Sequence, residues 1–156
     1  AHTRVVKTHW DAVKAGAERG NVEPDRSEWR IAREVFVAET SKQARKLAIE
    51  GVLRRDYQEY WFKLLDSKDN MKHSLDIPDS DVTIEYLLDN LWIVGNPEEV
   101  AEKIRVLHSD VGGFGTLLAM GHEWNPRAKW QNSMRLLKED VIPILDNMIA
   151  SKGGLT

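Results

Sequence analysis

The sequence predicts an α/β protein built on parallel strands, and three observations carry that expectation. Stretches with helical and with strand periodicity alternate along the chain. Residues 91 to 121 form a compact strand–helix–strand unit, an arrangement that is nearly always parallel with a right-handed crossover. The strands are apolar at consecutive positions, as strands covered on both faces are. Only three strands are legible, and a closed eight-fold barrel requires about 250 residues. The 156 residues therefore predict either a small open sheet or a piece of a barrel.

Residues 3 to 19 read as a helix, with Val6, Trp10, Val13 and Ala17 on one stripe and Gly20-Asn21 suited to its end. NVEPDRSE is turn-rich. WRIAREVFVA, residues 29 to 38, reads as a strand rich in Val, Ile and Phe. Thr40 and Gln43 offer a capping box for a helix that carries Ala44, Leu47, Ala48 and Val52. Residues 54 to 66 read as a second helix, with Tyr57, Tyr60, Trp61, Leu64 and Leu65 on one face. Residues 66 to 82 are polar and turn-rich, so a loop is expected there, and a short helix over about 83 to 90 leads into LWIVG, residues 91 to 95. This last stretch is a short apolar strand.

Asn96, Pro97, Glu98 and Glu99 then start a helix through cap, fixed φ and dipole. That helix runs through Val100, Ile104 and Leu107 to Gly112-Gly113. FGTLLAM, residues 114 to 120, is expected to be a buried strand. A long helix from about Pro126 to Ala150 closes the chain, striped by Trp130, Met134, Leu137, Val141, Leu145 and Met148, and Pro143 should kink it. The whole chain, 1–156, is read as a single domain or fragment with an insert-like helical and loop region at about 54–90.

Composition narrows the function. Apolar residues make up 42% and charged residues 30%, with a net charge of −3 and the two signs interspersed, so no nucleic-acid surface is expected. No apolar run reaches the roughly 20 residues that span a bilayer, and no signal peptide is visible, so no membrane partner is expected. The absence of cysteine excludes disulfides, thiolate zinc sites and cysteine nucleophiles, and it suits a reducing, cytoplasmic setting. Six tryptophans must be housed in a core, an interface or a pocket. The chain begins at Ala1 with helix-like sequence, which leads us to expect truncation or processing. GGFG precedes a strand rather than following one, so it is not a dinucleotide fingerprint, and no serine nucleophile elbow is present.

In consistent order, WRIAREVFVAETSKQARKLA, LWIVGNPEEVAEKI, VGGFGTLLAMGHEW and a long helix with EDVIPIL resemble the C-terminal part of the bacterial-luciferase-like flavin monooxygenases. The resemblance runs from about residue 3 to residue 149. It implies that the chain is the C-terminal portion of a TIM-type barrel, often dimeric, supplying about three parallel strands with flanking helices. It also implies reduced, dissociable FMN from a separate flavin reductase, dioxygen, and a small hydrophobic substrate such as a ketone, terpenoid or aldehyde. The N-terminal half of the family pattern, with most flavin contacts, has no counterpart here. The chain alone is therefore expected to be inactive, and to pair with that missing part or to form a homo-oligomer. Two other readings stand beside this one. The first is a deazaflavin-dependent barrel oxidoreductase, and the second is a non-catalytic assembly fragment whose open strand edges pair with another chain.

Candidate residues follow from position. His122 and Glu123 lie just past the end of a parallel strand, where barrels carry chemistry. Histidine transfers protons near neutral pH, so these two are the candidate catalytic residues, and Trp124 could wall a flavin or substrate pocket. The bland alternative is an ordinary strand-to-helix loop. Adjacent residues on an extended chain point apart, so no metal site is expected. Gly95 and Asn96 open a helix N-terminus that could meet a phosphate, although Asn96 is fully explained as a cap. Arg33 and Glu34 interrupt an apolar strand, and one of them must point inward. Arg33 is therefore a candidate near the pocket, with a structural ion pair as the alternative. The aromatic run Tyr57, Tyr60, Trp61, Phe62 is expected to pack on the sheet or a dimer face rather than to lid a substrate. His2 and His9 are expected on the surface.

Overall fold

The computed structural model describes residues 1–64 and 67–152. Helix α1, Thr3–Gly20, buries Val6, Trp10 and Ala17 on one stripe, and Asn21 ends it in the left-handed conformation at φ 50°. His2 caps its start, the ring Nδ1 accepting from the Arg4 N–H at 3.1 Å. This corrects the surface placement of His2. The ring is half-buried, and burial, followed by the charges of His73 and Arg33, pulls its pKa down to about 4.

Strand β1, Arg30–Val37, is the middle strand of a three-stranded parallel sheet. Its first half pairs with β3, Thr116–Met120, in the register Arg30 to Thr116 through Glu34 to Met120. Its second half pairs with β2, Ile93–Gly95, in the register Val35 to Ile93 through Val37 to Gly95. The sequence reading of parallel strands with flanking helices holds. The two strands of the predicted strand–helix–strand unit are not neighbours, because β1 lies between them.

Alternation along β1 sends side chains into two cores. Ile31, Val35 and Val37 join Val6 and the apolar stripe of helix α5, Pro97–Val111, with Leu136 and Val141. Phe36 and Ala38 join Trp92, Val94, Trp130 and the helices α2, Ser41–Glu50, α3, Val52–Glu59, and α4, Ile84–Asn90. Trp92, Leu53, Leu87 and Leu88 are completely buried there, and each such side chain stabilises by about 1.5–3 kcal/mol.

The expectation for residues 114 to 120 is corrected. β3 is shorter, and Thr116, Leu118 and Met120 are exposed while Leu117 and Ala119 are half-buried. β3 sits at the edge of the sheet with one face covered, so an apolar sequence does not produce a two-sided burial here.

Several boundaries shift. Val52 opens α3 instead of closing α2. The helix expected over 54 to 66 stops at Glu59, and a 3-10 turn, Trp61–Lys63, follows; Leu65 lies outside the described residues. A second 3-10 turn, Asp79–Asp81, sits in the predicted loop. Thr40 accepts from the Gln43 N–H at 3.2 Å, which forms the cap half of the predicted box. The long C-terminal helix is broken into α6, Arg127–Leu136, a π-helical turn, Leu137–Val141, and α7, Ile142–Lys152. Pro143 explains the break. It lacks an N–H and clashes with the carbonyl four residues earlier, at Glu139 inside the π turn.

Two contacts fix the sheet to its helices. The fully buried Ser133 hydroxyl accepts the Val37 N–H at 2.8 Å, ending the β1 ladder on α6. Arg26 donates to the Val111 carbonyl at 2.7 Å and to the Gly113 carbonyl at 3.1 Å. It thereby caps the end of α5, where Gly112 takes φ 80°. Among the described residues no helix is long and apolar enough to cross a membrane.

Candidate active site

Three elements meet where β3 ends. Glu34 is the β1 residue opposite Met120 in the register. His122 follows two residues later, held at φ 47°. α3 brings Arg55, Asp56 and Tyr57 over them. His122 Nδ1 lies 2.8 Å from Asp56 Oδ2. Its Nε2 lies 3.6 Å from Glu34 Oε1, a distance for charge attraction but too long for a hydrogen bond. That Nε2 is buried without a hydrogen-bond partner. The Tyr57 hydroxyl donates to Glu34 Oε1 at 2.7 Å, and the Tyr57 and His122 rings stand 6.4 Å apart. Outside this pair, Arg55 donates to Glu123 at 2.7 Å and pairs with Asp56 at 2.8 Å.

The electrostatics follow from that arrangement. The Glu34 carboxylate raises the His122 pKa above its ordinary value, burial opposes it, and Asp56 adds to the rise. Burial pushes the Glu34 carboxyl up, but His122 and the Tyr57 hydroxyl outweigh it and hold the pKa low. Burial likewise acts against Asp56, and Arg55 and His122 bring it below the carboxylate range. Burial and then Glu34 push the Tyr57 phenol far up, so it stays a proton donor. The arrangement is an imidazole between two carboxylates that favour its charged form, a group suited to holding and passing a proton.

The predicted residues fare differently. His122 and Glu123 do point apart, His122 to Glu34 and Asp56 and Glu123 to Arg55. Trp124 is 43% exposed and its indole lies against Gly121, where a Cβ would come 2.5 Å from Nε1. Gly95 and Asn96 serve α5. The Asn96 side chain accepts from the Glu99 N–H at 2.9 Å, and Glu99 reaches back to the Asn96 N–H at 3.0 Å. A carboxylate of the chain itself thus occupies the position a phosphate would need.

Arg33 lies apart from the Glu34 cluster. It sits on the opposite face of β1 from Glu34, lining a cavity with Trp92 and Lys103, because neighbours on a strand alternate. Its Nη1 donates to the Ala32 carbonyl at 3.0 Å, and its Nη2 is buried without a partner. Glu34 is the inward member of the pair. Sequence reasoning missed Asp56, Arg55 and the polar role of Tyr57. The signal was Glu34 itself, since a carboxylate inside an apolar strand requires partners; the helix that supplies them was read for its aromatic stripe. Among the described residues no group of His, Asp and Glu is arranged to hold a metal ion.

No family model matches the chain. Among curated proteins, 3,6-diketocamphane 1,6-monooxygenase of Pseudomonas putida is 32% identical over 142 residues, covering 88% of this chain and 38% of that protein. Limonene 1,2-monooxygenase of Rhodococcus erythropolis is 30% identical over 137 residues, covering 86% and 33%. A solved structure described as a type II Baeyer-Villiger monooxygenase, the oxygenating constituent of 3,6-diketocamphane monooxygenase from Pseudomonas putida in complex with FMN, superposes with a TM-score of 0.82. It is 31% identical over 92% of this chain and 40% of that one. The chain is a homologue of the luciferase-like flavin-dependent monooxygenases. A monooxygenase of Streptomyces bottropensis shares the fold at a TM-score of 0.60 and 18% identity. The chain spans about two fifths of the length of the first flavin monooxygenases it matches, which are covered to 38% and 40%. In this homologue the Glu34–His122–Asp56 cluster stands at the end of β3, where Glu34 pairs in register with the exposed Met120.

Proposed function

We propose that the chain is the C-terminal part of a flavin-dependent monooxygenase that uses reduced FMN and dioxygen on a small hydrophobic substrate of the terpenoid class. The observation that carries this is His122 Nε2, buried and unpaired beside Glu34. A proton donor whose Nε2 makes no hydrogen bond stands at the end of a parallel strand, where barrel enzymes work. The named relatives act on camphane diketones and limonene, which supports the substrate class.

FMN fits the described residues in part. Leu118 and Met120, exposed on β3, offer apolar surface for a flat ring. Among the described residues no phosphate cradle accompanies them: Glu99 closes the N-terminus of α5, Arg55 is committed to Asp56 and Glu123, and Arg33 lies on the other face of the sheet. The proposal assigns the phosphate to residues outside this chain. When bound, reduced FMN supplies the electrons and the place where dioxygen is activated. The chain's residues supply the rest. His122 holds a proton at Nε2, Asp56 fixes its ring, and Glu34 and Tyr57 keep it charged and shielded from water.

The exposed edge and apolar residues of β3 pair with the remaining part of the barrel, and the chain alone is inactive. A separate reductase, a homo-oligomeric state and a cytoplasmic location complete the proposal. The test is turnover by a polypeptide that joins this chain to the rest of a relative's length, supplied with reduced FMN and a bicyclic terpenoid ketone. His122→Asn is expected to lower kcat by about 100-fold, and unchanged turnover would overturn the role of His122.

A further inference from the structure

We propose that the cleft between β1, the end of α4 and α5 binds a small carboxylate with an apolar body, anchored by Arg33. The cleft measures about 320 Å³, room for one ring and its acid group. Arg33 reaches it from the face of β1 opposite Glu34, so the cleft is separate from the His122 cluster. Arg33 is 4% exposed. Its Nη1 donates to the Ala32 carbonyl of its own strand, and its Nη2 is buried without a hydrogen-bond partner. Burial works against the guanidinium charge, and Glu34 and then Tyr57 work for it without a hydrogen bond to it. A guanidinium stays charged even so, and a buried charge with no anion against it is costly. A carboxylate matches the guanidinium fork with two parallel hydrogen bonds. Nη2 is covered, so the guanidinium turns about its last torsions as the ligand enters.

The remaining lining sets the ligand's charge and shape. Lys103 adds a second cation, its Nζ donating to the Val94 carbonyl at 2.9 Å. Three exposed carboxylates also line the cleft, Asp89, Glu102 and Asp110. Asp89 pairs with Arg45 at 2.7 Å, and Glu102 pairs with Arg105 at 2.6 Å. With those two balanced, Arg33 and Lys103 outweigh Asp110 by one charge, which suits a monoanion and disfavours a dianion or a cation. His2, its pKa pulled down to about 4, is uncharged at neutral pH. The Thr3 hydroxyl and the Asn90 amide serve charged and neutral ligands alike, so the choice between them falls to Arg33. The buried Trp92 and Leu107 and the exposed Val106 give the body of the ligand apolar surface.

The experiment is a calorimetric titration of the chain, without flavin, reductase or dioxygen, with benzoate, benzamide, benzylammonium and inorganic phosphate. Benzoate is expected to bind with a Kd of about 1 mM or below, and at least about tenfold more tightly than each of the others. Arg33→Met keeps the apolar stem and is expected to bring benzoate within about threefold of benzamide, with Arg33→Lys restoring part of the difference. Val106→Trp, at an exposed position, fills the cleft and is expected to weaken benzoate by at least about tenfold. The proposal is overturned if benzoate does not bind, if any other probe binds as well, or if a folded Arg33→Met or Val106→Trp chain binds benzoate unchanged. Where Arg33→Met does not fold, Val106→Trp decides. The titration is repeated on the chain joined to the remaining length of a relative, where benzoate is expected to bind still. Loss of binding there would overturn the proposal, because a carboxylate of the added part would then hold Arg33. No flavin takes part, so failure here leaves the oxygenase reading untouched, and a whole enzyme that does not oxygenate leaves this binding result untouched.

Discussion

His122 Nδ1 lies 2.8 Å from Asp56 Oδ2, and this contact ties the loop after β3 to the helix that follows Gly51. The same loop is tied a second time by Glu123 and Arg55, so two successive residues of one element grip two successive residues of another. The inner link is shielded, with the His122 side chain 8% exposed, and the outer link is open to water. Exposed ion pairs contribute little, so the inner link carries the stability.

That link makes stability depend on pH with a definite sign. The His122 pKa is raised from 6.5, so its contribution is fully present below 6.5 and is lost as pH rises through the folded value. Those of Glu34 and Asp56 are lowered from 4.5 and 3.8, so theirs is present above those values and lost as pH falls through the folded ones. The cluster stabilises most between about pH 4.5 and 6.5. Urea unfolding of the chain and of His122→Gln should differ most in that window and converge as pH rises. A difference independent of pH would count against the charged imidazole.

Asp56→Asn removes the charge that fixes the ring. NMR titration of the His122 ring should show its pKa fall relative to the unmutated chain, and unfolding should cost about 1–3 kcal/mol. An unchanged pKa would mean that Glu34 alone sets it.

Tyr57→Phe deletes one hydroxyl and keeps the ring packed on Trp92 at 5.0 Å. The hydrogen bond to Glu34 has a charged acceptor, so its loss is expected to destabilise by about 1.5–3 kcal/mol. It should also raise the Glu34 pKa, which carboxyl NMR reads directly. A smaller loss with no movement of Glu34 would place the hydroxyl in water.

Ser133→Ala leaves the buried Val37 N–H without its acceptor. Chemical denaturation should register a loss of about 1–3 kcal/mol, and hydrogen exchange at Val37 should quicken. Protection unchanged at Val37 would mean that another group accepts the bond.

The sequence made the elements legible because periodicity and caps are local. Asn96, Pro97 and Glu99 start α5 as expected, and WRIAREVFVA is the strand from which both others hang. Strand order is not local, and nothing in 91 to 121 reveals that β1 lies between β2 and β3. Burial of 114 to 120 failed for the same reason, since an apolar stretch does not state whether both of its faces have neighbours. For the site, the rim position of His122 was readable, and so was the need of Glu34 for partners. Asp56 was not, because a charged residue on a short helix looks alike whether it faces water or an imidazole.

The central claim, that this chain carries the proton-holding part of a flavin monooxygenase, is tested most directly with isotopically labelled dioxygen. The chain joined to the remaining length of a relative, given reduced FMN and a terpenoid ketone, should yield a product heavier by one labelled oxygen atom, and His122→Asn should suppress that product strongly. Product without label, or labelled product in equal amount from the variant, would contradict the account.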